Sequence, residues 1–196
     1  MSKIEQNKER KRNAILKAAQ EVFLSEGYTL ASMDKIATLA QVTKQTVYRY
    51  FPSKLELFSA TLQQLGHGSE PDFCAHLQEV DTRTALYGFA RGFIRAHLSR
   101  EHLATFRLLI AESDIAPEIM RSFCEIGPDD TSRQLVAFFV ERLGVEDAET
   151  TADLWAAMLL SHRSRVLMGM GRPDDQQIDE HAKAATDFLL AAVSTA

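Results

Sequence analysis

Residues 33–54 read MDKIATLAQVTKQTVYRYFPSK, and this stretch decides the fold. Ser32 is a typical N-cap, and apolar residues recur at helical spacing after it until Gln41 interrupts the pattern. Thr43 is a second N-cap, and it precedes another short amphipathic segment that Pro52 ends. Two short helices joined by about three residues predict a helix-turn-helix.

The flanking segments add a longer helix on each side of this pair. Asn13–Ser25 has the apolar spacing of an amphipathic helix, and Gly27 is a typical C-terminal cap for it. Downstream, Ser53 and Glu56 have the spacing of a capping box, which predicts a fourth helix over about residues 53–66. We therefore expect the short helices to be braced by both neighbours.

A cluster of helix breakers, Gly66-His67-Gly68-Ser69-Glu70-Pro71, divides the chain. We predict a three-helix helix-turn-helix domain over residues 1–58 and a larger helical-bundle domain over residues 67–196, connected by the helix at about 53–66. Every segment after the breakers has helical rather than strand periodicity, and the longest is predicted over Ala148–Met170. The predicted fold class is all-α, with about nine helices.

Charge is distributed unevenly along the chain. The net charge is −5, yet the first 58 residues hold ten basic and six acidic side chains. A basic first third on an acidic remainder favours a polyanion as the partner of that third, although basic helix faces are often merely solvated. The sequence has no apolar run long enough to cross a membrane, and its charged start is unlike an export signal. We expect a cytoplasmic protein without a membrane partner.

The second short helix carries residue types suited to reading DNA. A recognition helix enters the major groove with its N-terminus first, where Gln45 can bond adenine and Lys44 can reach guanine or a phosphate. Lys54 lies in the first turn of the next helix, where a cation opposes the helix dipole unless an anion such as a phosphate is near. The alternative is a helical hairpin with incidental polar residues. The candidates for base and phosphate contacts are Thr43, Lys44, Gln45, Thr46, Tyr48, Arg49, Tyr50 and Lys54.

Residues 37–54, ATLAQVTKQTVYRYFPSK, resemble the signature of TetR/AcrR-type transcriptional regulators. The resemblance extends back through Ala14-Ile15-Leu16, Phe23 and Gly27-Tyr28, and forward to Leu57-Phe58. It implies a dimeric, all-α repressor, or less often an activator, with an N-terminal DNA-binding domain. The C-terminal domain of this family holds the dimer interface and usually an inducer pocket.

The resemblance also assigns roles to individual positions. Its base-facing positions fall on Thr43, Lys44, Gln45 and Thr46, and its phosphate-gripping positions on Ser32, Tyr48, Tyr50 and Lys54. Arg49 either contacts phosphate or remains solvated.

Two positions depart from the family pattern. The turn between the short helices usually has Gly where Gln41 stands, and a left-handed Gln would cost up to about 1–2 kcal/mol. The family often has His where Tyr50 stands, and a phenol can still donate to a phosphate.

The C-terminal region resembles the AefR-like subgroup through Arg107–Glu112 followed by Pro117–Ile119. If a ligand binds, the available side chains fit an apolar or amphipathic small molecule, although aromatic residues at helical spacing are usually plain core. The candidate pocket residues are Phe89, Phe93, His97, Phe106, Ile110, Phe123, Phe138, Trp155 and Met158.

Two apolar stripes near the C-terminus are candidates for a dimer interface. In this family the last two helices pair with their symmetry mates as a four-helix bundle, so we expect an isologous homodimer on a palindromic double-stranded DNA operator. The alternative is that the stripes only pack within their own subunit. The candidate interface residues are Leu159, His162, Val166, Met170, Ile178, Ala182, Ala185, Leu189 and Ala192.

Catalytic and metal-binding patterns are missing from the sequence. It has no Gly-rich phosphate loop or nucleophile elbow, and His97 and His102 lack metal-ligand spacing. Cys74 and Cys124 are expected to be reduced thiols. We therefore expect no enzymatic activity, no cofactor and no metal.

The predicted function is sequence-specific DNA-binding regulation of transcription. A nucleoid-associated repressor released by a small apolar or amphipathic inducer fits the sequence best. The alternative is a DNA-binding scaffold without an inducer, which acts through a protein partner.

Overall fold

A computed structural model describes residues 2–68, 72–126 and 128–194 of the chain. Within these ranges it has eleven α-helices and no strand, which confirms the all-α prediction and exceeds the expected number of helices. A 3₁₀ segment, Phe73–Gln78, precedes the fifth helix, and a π-helical segment, Phe139–Leu143, continues the eighth. The helices are α1 (Lys3–Glu26), α2 (Met33–Leu39), α3 (Lys44–Tyr50), α4 (Lys54–Gly68), α5 (Thr82–His97), α6 (Arg100–Glu112), α7 (Pro117–Ile126), α8 (Pro128–Phe138), α9 (Ala148–Leu159), α10 (Ser161–Leu167) and α11 (Asp175–Val193).

Helix α1 begins ten residues before the predicted Asn13. A capping box starts it: the Ser2 hydroxyl accepts the Glu5 amide at 3.2 Å, and the Glu5 carboxylate accepts the Ser2 amide at 2.6 Å. The hydrogen bond from the Ser2 amide, followed by one with the Ser2 side chain, lowers the pKa of the Glu5 carboxyl. The Ser-x-x-Glu spacing that signals such a start is present in the sequence. The added turns are polar and project a charged helix beyond the core.

The predicted helix-turn-helix is present, and each short helix is capped as expected. The Ser32 hydroxyl accepts the Lys35 amide, and the Thr43 hydroxyl accepts the Thr46 amide, both at 3.1 Å. In the turn between α2 and α3, Gln41 has a φ of 55°, in the left-handed region. A side chain in this conformation is less stable by about 1–2 kcal/mol, so Gln at this position is less favourable than the Gly that the family usually has.

The helix that follows starts with half of the predicted capping box. The Ser53 hydroxyl accepts the Glu56 amide at 3.1 Å. Helix α4 continues to Gly68, two residues beyond the predicted end. Ser69–Pro71, the remainder of the predicted breaker cluster, lie outside the described residues.

The compact units divide the chain differently from the predicted domains. One unit comprises Met1–Gly68 with Ala104–Gly127, and the other comprises Ser69–Leu103 with Pro128–Ala196. Residues 104–127 join the helix-turn-helix unit because Leu109 and Ile119, both 0% exposed, are buried in its hydrophobic core. The N-terminal unit is therefore larger than the predicted domain and discontinuous in sequence.

The core of the second, C-terminal unit is organised around aromatic residues. Phe89 and Trp155 stack with their ring centroids 5.6 Å apart, and the Trp155 indole donates to the Ala185 carbonyl at 3.1 Å. Here the predicted single helix Ala148–Met170 is wrong, since Leu160 separates α9 from α10. At that point the Arg163 amide bonds the Leu160 carbonyl three residues back, at 3.0 Å, and tightens the turn. Neither Gly nor Pro signals this break in the sequence.

Substitution of Gln41 by Gly is expected to raise the free energy of unfolding by about 1 kcal/mol, because Gly adopts a positive φ without the steric cost. The measurement is urea unfolding monitored by circular dichroism. The matched control is Ala40→Gly, one residue earlier in right-handed conformation, which should lower stability by about 1 kcal/mol. A Gln41→Gly protein that is destabilised like the control would contradict the assignment of a left-handed turn.

Candidate nucleic-acid interface

Helix α3 presents a polar face to solvent and anchors itself through the opposite face. Val47 is 0% exposed in the core of the N-terminal unit. Four side chains line an open groove on the outer face: Gln45, Thr46, Tyr48 and Arg49. This arrangement places amide, hydroxyl, phenol and guanidinium groups together, and these are the groups that bond base edges and phosphates.

Two of the predicted DNA-contact residues are engaged as helix caps. The hydroxyl of Ser32 caps α2, and the hydroxyl of Thr43 caps α3 and lies 2.9 Å from that of Thr46. A hydroxyl has two lone pairs and one proton, so capping leaves capacity for a second bond. Their main structural effect is to fix the direction in which α2 and α3 start.

Lys44 pairs with an acid on the neighbouring helix. Its ammonium lies 2.7 Å from the Asp34 carboxylate, and both side chains are exposed. The hydrogen bond that the Lys44 ammonium donates to Asp34 raises the pKa of Lys44. An exposed pair of this kind is weak and screened by salt, so a phosphate or a guanine can replace Asp34 as the partner.

In the structure, the partners of Lys54 are backbone carbonyls of its own chain, whereas the sequence predicted a phosphate contact. Its ammonium donates to the backbone carbonyls of Tyr28, Thr29 and Ala31 at 2.9, 3.0 and 3.3 Å. It also lies 4.7 Å from the centroid of the Tyr28 ring, within cation–π range. These partners explain how a cation is tolerated in the first turn of α4. Lys54 therefore fixes the loop between α1 and α2, residues 27–31, from the side of α4.

Loop 27–31 is held from another side by Glu112, a residue that the sequence analysis missed. The carboxylate of Glu112, at the end of α6, accepts the Thr29 amide at 3.0 Å and the Thr29 hydroxyl. Gly27, with a φ of 84°, leaves room for this carboxylate, since a Cβ at that position would collide with it. Glu112 is 8% exposed. An acid in the last turn of a helix opposes the helix dipole. This unfavourable position was the feature of the sequence that could have indicated a special role for Glu112.

The two tyrosines of α3 have different surroundings. Tyr50 is half-buried, and its hydroxyl donates to the Lys8 carbonyl of α1 at 3.3 Å. Tyr48 is 42% exposed on the groove side. Arg49 lies over the Tyr50 ring, 5.6 Å from its centroid. Tyr48 is thus the phenol best placed to meet a partner.

The nine predicted pocket residues do not form one cluster. Phe106 and Phe123 pack against the core of the N-terminal unit, and Ile110 is 53% exposed on α6. Ile110 departs from the prediction because it lies on the solvent side of an amphipathic helix whose inward face carries Leu109. The remaining six belong to the C-terminal unit: Phe89, Phe93, His97, Phe138, Trp155 and Met158.

His97 lies beside a second histidine in the C-terminal unit. The ring centroids of His97 and His102 are 4.4 Å apart, and His97 Nδ1 lies 2.8 Å from the Phe93 carbonyl. Burial, followed by the charges of neighbours including Arg163, lowers the pKa of His97 to about 3 and that of His102 to about 4. Among the described residues no group of three His, Cys, Asp or Glu side chains could hold a metal ion.

Most of the predicted dimer-interface residues are core residues of their own subunit. Six of the nine are buried in the C-terminal unit: Leu159, Val166, Ile178, Ala182, Ala185 and Leu189. For these six the alternative interpretation holds, because each stripe faces the neighbouring helices of the same chain. His162 is half-buried, with its ring 4.7 Å from that of His181, whereas Met170 and Ala192 are exposed. On other faces of α9 and α11, Leu154 and Phe188 are 64% and 65% exposed.

An all-α chain with a capped helix-turn-helix and a polar outer face on its second helix defines a DNA-binding protein of the helix-turn-helix class. A family model described as bacterial regulatory proteins, tetR family, matches residues 15–61. A second, described as the C-terminal domain of AefR-like transcriptional repressors, matches residues 84–194. The chain belongs to the TetR family and has an AefR-like C-terminal domain.

Curated relatives resemble the N-terminal region. The transcriptional activator FasR of Mycolicibacterium smegmatis is 47% identical over 57 residues, which cover 29% of this chain and 26% of FasR. The transcriptional regulator SrpR of Pseudomonas putida is 42% identical over 69 residues, or 35% of this chain and 32% of SrpR. The matched region thus spans about a quarter to a third of these relatives.

Solved structures resemble nearly the whole chain. A TetR-family regulator from Mesorhizobium loti has a TM-score of 0.78 and 28% identity, covering 93% of this chain and 96% of its own. The flavonoid-responsive regulator FrrA has a TM-score of 0.74 and 29% identity with the same coverage. No helix in the described part of the chain has the length and apolar character that a membrane crossing requires.

Replacement of Lys54 by Met is expected to lower the free energy of unfolding by about 2 kcal/mol without DNA, because three carbonyls lose a charged donor. The control is Lys44→Met, which loses only an exposed ion pair and should leave stability nearly unchanged. Urea unfolding of both variants gives the comparison. If the two variants are equally stable, Lys54 does not anchor loop 27–31.

Acid is expected to destabilise the C-terminal unit through His97 and His102. Because their pKa values are lowered in the folded protein, the unfolded chain binds protons first as the pH falls below about 6.5, and stability is lost from there downward. From pH 7 to pH 5 we expect a loss of about 1–2 kcal/mol for each histidine. The double variant His97→Gln/His102→Gln should lose less over the same interval, measured by urea unfolding at both pH values. An equal loss in variant and wild type would contradict this assignment.

Proposed function

We propose that this protein is a homodimeric repressor of transcription that binds a palindromic operator and releases it when a small apolar or amphipathic ligand binds. The observation that carries the proposal is the outer face of α3, where Gln45, Thr46, Tyr48 and Arg49 line one open groove. The match to a C-terminal domain described as AefR-like repressors supports repression over activation. The role is regulatory rather than catalytic, and we expect the protein in the cytoplasm with the nucleoid.

In this proposal the side chains of α3 divide the work of binding. Gln45, in the first turn, reads a base edge through its amide, and adenine is the base that an amide matches with two bonds. Tyr48 and Arg49, further along, donate to phosphate oxygens and fix the register of the helix in the groove. Lys44 joins them by exchanging Asp34 for a DNA acceptor.

The homodimer supplies a second recognition helix, which reads the second half-site of the operator. Helix-turn-helix dimers read half-sites that are about 34–36 Å apart, one turn of DNA. We propose that the subunits meet through exposed apolar side chains of α9 and α11, two helices that contact each other within the C-terminal unit. Leu154 on α9 and Phe188 on α11 replace the buried stripe residues as the central candidates, with Ala184 and Ala192 allowing close helix approach.

The C-terminal unit offers aromatic side chains for the ligand. Phe89 lies 5.4 Å from Phe73, 5.5 Å from Phe93 and 5.6 Å from Trp155, measured between ring centroids. FrrA, which resembles this chain over most of its length, is named as flavonoid-responsive, so a planar aromatic compound is a reasonable first ligand class. A coupling of about 1–3 kcal/mol between ligand and DNA would change operator affinity about 5–150-fold.

Selection from random double-stranded DNA tests the operator part of the proposal. We expect a palindrome, and we expect Tyr48→Phe to weaken its binding and Gln45→Ala to cost about 1–3 kcal/mol at one base position in each half-site. Gln176→Ala, an exposed glutamine of α11, is the matched control and should bind like wild type. Fluorescence anisotropy measures each affinity. Selected sequences without a common half-site would overturn the proposal.

A thermal-shift screen tests the ligand part. Apolar and amphipathic compounds, with a flavonoid among them, should include one that raises the melting temperature and releases operator DNA. If none does either while operator binding persists, the inducer is rejected and the scaffold that acts through a protein partner becomes the better hypothesis.

A further inference from the structure

The basic residues near the helix-turn-helix are unequally available to DNA. Lys54 donates to backbone carbonyls and Lys35 pairs with Glu26, whereas Lys44 can exchange its exposed partner Asp34 for DNA. The positive charge expected over the α2–α4 region is thus partly engaged inside the protein. The electrostatic attraction that DNA binding needs must come in part from other cations.

The first turns of α1 supply such cations on one face of the helix. Lys8, Lys11 and Arg12 fall within an arc of about 100°, at about 100° per residue. This is the face that, further along α1, buries Ile15 in the core. Among the side chains that the structure describes, Lys8 and Lys11 have no acidic partner within ion-pair distance. The nearest acid upstream, Glu5, is bonded to Ser2 in the capping box.

This face of α1 lies against the C-terminal end of α3. The Tyr50 hydroxyl donates to the Lys8 carbonyl at 3.3 Å, and the Arg12 guanidinium lies 5.8 Å from the centroid of the Phe51 ring. Tyr50 is the last residue of α3, and Phe51 is its C-cap. The basic turns of α1 therefore begin where the recognition helix ends.

The dimensions of the major groove place these turns close to the phosphate backbone of one DNA strand. Seven residues of α-helix are about 10 Å long, and the major groove is about 12 Å wide. With the N-terminus of α3 in the groove, the elements that flank its C-terminal end are close to the strand that borders the groove. Side chains as long as lysine reach phosphates from that position.

We propose that the first turns of α1 form a second DNA-backbone site, in which Lys8 and Lys11 bind phosphates next to the half-site read by α3. Arg12 packs on Phe51 and keeps this part of α1 against α3. The site rests on the proposed operator binding and adds affinity without sequence preference, because phosphates are the same at every base pair. The occupant is DNA backbone, since the cations follow the end of a recognition helix and form no closed anion pocket.

The test measures how operator affinity depends on salt. Each phosphate contact contributes about 0.9 to the slope of log K against log salt, so losing two lysines in each subunit of a dimer should reduce the slope by about 3–4. We expect Lys8→Gln/Lys11→Gln to show this reduction and at least about a tenfold loss of affinity at 0.15 M salt, with the selected half-site unchanged. Fluorescence anisotropy over a range of KCl concentrations gives both values.

A matched variant controls for net charge. Lys17 lies about 180° from Lys8 around α1, and Lys183 is exposed on α11 in the other unit. The double variant Lys17→Gln/Lys183→Gln removes the same charge and should keep the wild-type slope. Lys8→Arg/Lys11→Arg keeps the charge at the proposed site and should also keep the slope. Circular dichroism before titration verifies the helix content of each variant.

Several results would overturn the inference. The Lys8/Lys11 and Lys17/Lys183 variants could have equal slopes while wild type binds its operator. This result would show that α1 has no phosphate site and would leave the proposed function intact. A change in the selected half-site, or a reduced slope in the arginine variant, would show that these lysines do not act as phosphate contacts. Wild-type protein that binds no operator would overturn the proposed function and this inference together.

Discussion

Two side chains of opposite charge hold the backbone of loop 27–31, and the placement of the helix-turn-helix depends on them. The ammonium of Lys54 donates to the carbonyls of the loop, and the carboxylate of Glu112 accepts hydrogen bonds from the amide and hydroxyl of Thr29. Because the loop forms no helix, these contacts supply hydrogen bonds that regular structure would otherwise provide. The loop leads directly into Ser32, so its position sets where α2 starts and, through the turn at Gln41, how α3 faces DNA.

The parts of this molecule that could be predicted from sequence are those decided by neighbouring residues. Ser32 and Thr43 cap the helices that follow them because an N-cap needs only an amide three residues away. The left-handed turn could be suspected only through the family resemblance, because the family usually has Gly where Gln41 stands. The outer face of α3 also follows from spacing, because a helix that buries Val47 must expose Gln45 and Tyr48.

The features that escaped prediction depend on residues far apart in the chain. The partners of Lys54 and the role of Glu112 require loop 27–31 to meet α4 and α6, and no local pattern encodes those approaches. The stripe containing Leu159 and Leu189 identifies a buried face, but burial against the same subunit and burial against a partner give one and the same periodicity. The break at Leu160 has no Gly or Pro to announce it.

The discontinuous N-terminal unit has a consequence for how the protein is made. Its core includes Leu109 and Ile119 together with Ile15, Val47 and Phe58, so the core is incomplete until the chain has been synthesised past α7. Chains emerge from the ribosome N-terminus first, and the segment that forms α5 is therefore translated before the helix-turn-helix unit can close. A fragment cut after α4 would leave apolar side chains of α1 and α4 exposed to water. Maturation of the DNA-binding surface is thereby tied to translation of more than half of the protein, and a ribosome that stalls earlier releases no finished competitor for the operator.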